Sequence, residues 1–204
     1  MKKGVILAIF FVNILMALDV KITKDIESVT INEGDKTIVI KRIQDKKHRL
    51  PAEFTKTSRE CPPFCVQPMY IDKVKPIGEL ELLGYLKNME DENILLIDAR
   101  SREWYKRGTI PTATNLPFTM LKRKSKVLPK VLKLLGAKKV GKKWDFTDVP
   151  KMIIFGNGIW DPQATKEIKS LLSLGCPANK ILYYRGGMQD WYLLGLTTEK
   201  KNGE

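Results

Sequence analysis

The stretch Lys151-Met-Ile-Ile-Phe-Gly156-Asn-Gly-Ile-Trp160-Asp-Pro-Gln-Ala164 limits the folds open to this chain more than any other. A short apolar run ends at a glycine, a tight loop follows, and Ile168, Leu171, Leu172 and Leu174 then recur at helical spacing up to Gly175. The run reads as a buried strand, with Asp161 as helix N-cap and Pro162 as first helical residue. In such a strand–loop–helix unit the loop N–H groups and the helix N-terminus converge on one point, which suits an anion or a reactive group. Gly156 opens the loop and brings no side chain to that point.

The same alternation recurs along the chain. Leu80, Leu82, Leu83 and Leu86 mark an amphipathic helix, and Asn93 to Ile97 a buried strand that ends in Asp98-Ala99-Arg100. Ala113 to Leu116 reads as a short strand closed by Pro117, Lys180 to Tyr184 as another strand, and the turn at Gly186-Gly187 leads into a last helix through Leu194. Strands alternating with helices predict an α/β fold, a parallel sheet flanked by helices. Upstream, apolar residues alternate on both sides of Glu33-Gly34-Asp35, which predicts an N-terminal β-hairpin extension that must lie against the main domain to be stable. The length of 204 residues suits one domain with appendages.

Met1-Lys2-Lys3 and the apolar residues to Leu18 have the form of a secretory signal, too short for an ordinary spanning helix. Residues 1–18 are therefore expected to be a signal peptide, or an anchor where it stays uncleaved, and the protein to be exported to a periplasmic or other extracytoplasmic space. Residues 19–70 form the hairpin and a Pro/Cys-rich leader, and 198–204 a polar tail. Export bears on Cys61-Pro-Pro-Phe-Cys65, because an oxidising compartment permits a disulfide there. Such a bridge needs a turn at the two prolines and would act as a local clip. The pair has a second reading, as a redox or sulfur-carrying site. No metal site is expected, since His48 and Cys176 sit at no familiar ligand spacing, and no cofactor is implied.

Residues 121–151 hold eleven basic side chains against Asp145 and Asp148, so they carry most of the formal charge of +13. Val127, Leu128, Val131, Leu132, Leu134 and Leu135 recur at helical spacing with Lys130 and Lys133 between them, giving a basic amphipathic helix that stops at Gly136. It reads either as a core helix with a solvated lysine face or as a contact for an anionic membrane surface. Nucleic acid is not expected, because no aromatic residues interleave with the lysines.

Ile97-Asp98-Ala99-Arg100, Trp104-Tyr105, Gly108-Thr109-Ile110-Pro111 and Asn115-Leu116-Pro117 together resemble the first half of a rhodanese-like domain. Met152 to Phe155 with its loop, and Tyr184-Arg185-Gly186-Gly187-Met188 with Trp191, resemble the second half. The resemblance spans about 71–197 and implies a single rhodanese-like domain. Asp98, Arg100, Arg185, Gly186 and Gly187 are then family-motif positions. The Cys-Pro-Pro-Phe-Cys leader resembles an exported subgroup. Members that transfer sulfur open the loop with a cysteine, and by that resemblance Gly156 stands in its place. Gly156, Asn157, Gly158, Ile159, Trp160 and Asp161 then form a vacated active loop, and Cys176 is a partly buried structural thiol. Three functions stay open: a catalytically silent module that binds a protein or a small anionic sulfur species, a sulfur carrier or sulfurtransferase using Cys61 or Cys65, and a membrane-surface scaffold working through 121–151.

Overall fold

The computed structural model of the chain describes residues 19–201. Residues 1–18, where a signal peptide is expected, and the last three residues of the polar tail lie outside the described residues. In chain order the elements are β1 (Ser28–Glu33), β2 (Lys36–Lys41), α1 (Ala52–Thr55), β3 (Lys75–Ile77), α2 (Glu79–Lys87), β4 (Ile94–Asp98), α3 (Arg102–Arg107) and β5 (Thr114–Asn115). They continue as α4 (Leu128–Leu134), β6 (Lys138–Val140), β7 (Lys143–Asp145), β8 (Lys151–Phe155), α5 (Gln163–Ser173), β9 (Ile181–Tyr184) and α6 (Gly187–Leu193).

A parallel sheet in the order β3-β9-β8-β4-β5 forms the centre. Its three inner strands, β9, β8 and β4, are largely apolar because helices cover both faces. Along β8, Met152 and Ile154 point into a core shared with α4 and α5. Ile153 and Phe155 point to the other side, among Leu82, Leu86, Met188 and Trp191 of α2 and α6. The hairpin β1–β2 completes that second face: Ile31 and Ile40 are fully buried in it, and Lys41 exchanges backbone and side-chain hydrogen bonds with Thr197. The expected hairpin is thus part of the domain's core.

Local details differ from expectation. Helix α5 begins at Gln163, with Pro162 as its N-cap residue, although the Asp161 carboxylate still accepts the Gln163 N–H at 3.0 Å. The polar 46–59 stretch contains the single turn α1, held by the buried Phe54. The edge strand β3 and the small hairpin β6–β7 escape sequence reading, because three-residue strands are too short to show a period. Cys176 is free and buried, and burial pushes its thiol up to about 12, in keeping with an inert packing role.

One residue on the buried face of α5 breaks the pattern. Glu167 is fully buried, and both carboxyl oxygens lack a hydrogen-bond partner among the described residues. Burial pushes its pKa well above the usual carboxylate range, with the nearby Asp98 adding to the effect. The native state therefore holds this proton to higher pH than the unfolded chain does. Its contribution is intact below the ordinary carboxylate pKa and is lost as pH rises towards the raised one. Glu167→Met is expected to raise stability by about 1–3 kcal/mol at neutral pH, and to flatten the fall in stability between pH 5 and neutrality. Urea unfolding of both proteins across that range measures it.

Candidate functional site

The carboxyl ends of β4 and β8 are neighbours at the middle of the sheet. From β4 the chain runs outward to β5 on one side, whereas β8 and β9 lie on the other. Parallel sheets place ligand sites at such a reversal of strand order, and here Asp98 and Gly156 come out of it side by side.

Asp98 and Arg100 lock the β4 end. Both side chains are buried, and Arg100 holds the Asp98 carboxylate with Nε and Nη2 at 2.8 and 2.6 Å. Thr109 Oγ1 donates to the same carboxylate at 2.7 Å. The remaining guanidinium N–H groups reach the Gly108 carbonyl at 2.7 Å and Asn157 Oδ1 at 3.3 Å. One ion pair thus ties β4 to the end of α3 and to the 156–161 loop.

The loop is held from every side. Met188 and Gln189 at the start of α6 donate their N–H groups to the carbonyls of Gly156 and Asn157 at 3.0 and 2.8 Å. Gly187 makes this approach possible, since its φ of +56° and lack of Cβ let the two backbones touch. Trp160 Nε1 donates to Gln189 Oε1 at 3.2 Å.

The first amide of the expected cradle has an occupant. Asp161 is 1% exposed, and its Oδ2 accepts the Asn157 N–H at 2.8 Å while Oδ1 caps α5. A Cβ built on Gly156 would lie 3.1 Å from that Oδ2 and 3.4 Å from the Ala164 nitrogen. Burial raises the Asp161 pKa, opposed by the two amide hydrogen bonds and by Arg100. The loop is therefore not an empty anion cradle: a carboxylate of the chain itself takes one amide and crowds the space beside Gly156.

Cys61 and Cys65 form a disulfide, with Cα atoms 4.7 Å apart. Their leader lies directly on the loop. Phe64 meets the Trp160 ring edge-on at 5.7 Å, and the Arg59 guanidinium sits 3.8 Å from the centre of the same ring. Beyond the bridge, the Gln67 N–H donates to Ile159 O at 2.8 Å and Thr165 Oγ1 donates to Gln67 Oε1 at 2.7 Å. Arg185 donates twice to the Gln67 carbonyl, at 3.1 and 2.7 Å. Arg59, Phe64 and Gln67 carry no sequence signal, since nothing in a polar, proline-rich segment shows what it will cover. Among the described residues no group of His, Cys, Asp and Glu is placed to hold a metal ion.

A family model described as the rhodanese-like domain matches residues 84–194, more than half of the chain. The chain belongs to the rhodanese-like domain family. The rhodanese-like chain is similar to the BH2092 protein of Bacillus halodurans at 21% identity, over 61% of this chain and 76% of that one, with a TM-score of 0.47. Against the human single-domain sulfurtransferase TSTD1 the identity is 22%, the coverage 59% and 96%, and the TM-score 0.42. A thiosulfate sulfurtransferase from Pseudomonas aeruginosa shares 19% identity over 64% of this chain and 21% of its own, with a TM-score of 0.44. No curated protein matches the chain.

Proposed function

We propose that this protein is an exported rhodanese-like module that binds a partner through its leader and loop and performs no sulfur transfer at Gly156. On this reading Gly156 stands where sulfur-transferring members present a cysteine. The observation that carries it is the Asp161 carboxylate on the Asn157 amide, 3.1 Å from where a side chain at position 156 would begin. Neither a nucleophile nor an unencumbered first amide remains there, and a second anion would meet a negative charge.

Gly156→Cys alone is expected to give a thiol of raised pKa and little reactivity, because the buried carboxylate opposes a neighbouring thiolate. Gly156→Cys with Asp161→Ala should alkylate with iodoacetamide at least about tenfold faster at neutral pH, the effect of one pKa unit on the thiolate fraction. Wild-type protein should not turn over thiosulfate and cyanide above background. Turnover that survives replacement of every cysteine would end the reading.

A second reading rests on the leader's position over the loop. Here an external thiol first reduces the bridge, and the freed Cys61 or Cys65 thiolate then attacks the outer sulfur of thiosulfate, forming a persulfide as the S–S bond of the donor breaks and sulfite leaves. Mass spectrometry after exposure to thiosulfate or polysulfide tests it: added sulfur on either residue, with activity lost in Cys65→Ser, supports it, and its absence removes it. The exposed lysines of 121–151 support a third interaction, with anionic lipid. Co-sedimentation with anionic vesicles that declines as salt rises is its expected sign.

A further inference from the structure

We propose that the Cys61–Cys65 bridge is a thiol–disulfide exchange site for a dithiol protein, and that its reduction unclasps the 156–161 loop. The proposal names the partner class of the binding module described above and rests on that reading.

Three observations converge on the bridge. Cys61 is exposed and Cys65 half-buried, so the bridge lies at the surface, with Cys61 the more open of the two residues. Exposed apolar side chains follow the pair closely in the chain: Val66 is 79% exposed, Tyr70 72% and Met69 49%, and Phe64 between the two cysteines is open as well. Such a cluster in a charged protein marks a contact site, and an exposed disulfide beside it identifies the chemistry of the partner.

The bridge also lies between two anchors. On one side Arg59 and Phe64 pack on Trp160, and Arg59 Nη2 donates to the Glu53 carbonyl. On the other side Gln67 is fixed to Ile159, Thr165 and Arg185. The closed Cys61–Cys65 ring sets the reversal that returns Phe64 and Arg59 to the Trp160 ring. Opening it leaves Gln67 in place and releases the aromatic side of the clasp, because the freed residues regain conformational entropy that the contacts of Arg59 and Phe64 with one half-buried ring do not offset.

The chemistry is a two-electron exchange. A thiolate of the partner attacks Cys61 Sγ, forming a mixed disulfide as the Cys61–Cys65 bond breaks, and Cys65 leaves as a thiolate that takes a proton from solvent. The partner's second thiol then attacks its own sulfur in the mixed disulfide, and Cys61 departs as a thiolate. The partner dithiol is oxidised to a disulfide and the leader pair is reduced.

The test uses the full chain and a Cys-x-x-Cys dithiol protein, with dithiothreitol for comparison. A probe whose second cysteine is replaced by Ser should be trapped on Cys61. At equal thiolate concentration the intact dithiol protein should open the bridge about tenfold faster than dithiothreitol, the factor one modest apolar contact provides. Val66→Asp with Tyr70→Asp, both at exposed positions, should remove that advantage and leave the dithiothreitol rate unchanged. Acrylamide quenching of Trp160, read as the difference from Trp160→Phe, should increase on reduction and be equally high in the Cys61→Ser, Cys65→Ser double variant. An absent trapped adduct, a protein rate no faster than dithiothreitol, or quenching insensitive to reduction overturns the proposal. Thiosulfate turnover by the same preparation, lost in Cys65→Ser, would instead overturn the binding reading beneath it.

Discussion

Arg100→Ala is expected to lower the free energy of unfolding by about 3–5 kcal/mol, the usual effect of removing one partner from a buried ion pair. The magnitude follows from what stays behind. Asp98 is fully buried, and without the guanidinium its carboxylate keeps, among the described residues, only the Thr109 hydroxyl and the position-100 amide as donors. The Gly108 carbonyl and Asn157 Oδ1 each lose a donor at the same time. Arg100→Lys should recover only part of the loss, because an ammonium cannot hold the carboxylate through two nitrogens and reach Gly108 and Asn157 as well. Urea denaturation ranks the three proteins. A loss under 1 kcal/mol for Arg100→Ala would show that water enters and solvates Asp98.

Gly187→Ala is expected to cost about 3 kcal/mol, combining left-handed backbone strain with forced displacement of packed backbone. The added methyl would clash with the Gly156 carbonyl and lie 2.8 Å from the Gly158 nitrogen and 3.0 Å from the Asn157 carbonyl carbon. All three are backbone atoms, so no side chain can swing aside. The loop itself must shift, which weakens the hydrogen bonds that Met188 and Gln189 give to it and loosens Trp160 from Gln189. Two measurements separate this from simple destabilisation. Thermal unfolding should show the lowered stability, and hydrogen exchange at the Met188 and Gln189 amides should rise more than at the β8 amides. Equal increases at both places would assign the effect to global unfolding.

Much of this architecture is legible before any coordinates. The apolar runs at 94–97, 152–155 and 181–184 read as strands because a strand covered on both faces must be apolar at every position. Gly136 and Gly175 read as helix stops because both need a positive φ, and both adopt one. The short segments β3, β6 and β7 do not show, since their backbone pairing depends on neighbours far away in sequence.

The site divides in the same way. Sequence by itself determined that position 156 is a glycine, that no thiol lies between residues 156 and 161, and that two cysteines precede the domain within a proline-rich leader. These are properties of covalent chemistry, which no fold can alter. Only the tertiary structure decided what occupies the loop. Asp161 reads in sequence as a helix cap, and its second oxygen turns back to the Asn157 amide because the loop is tight enough to bring it there. Tertiary structure also decided that Arg59 and Phe64, about a hundred residues from Trp160 in the chain, close over its ring. Contacts at that separation arise from packing of the leader on the assembled sheet, where the anchor at Gln67 and the bridge at Cys61–Cys65 fix its path.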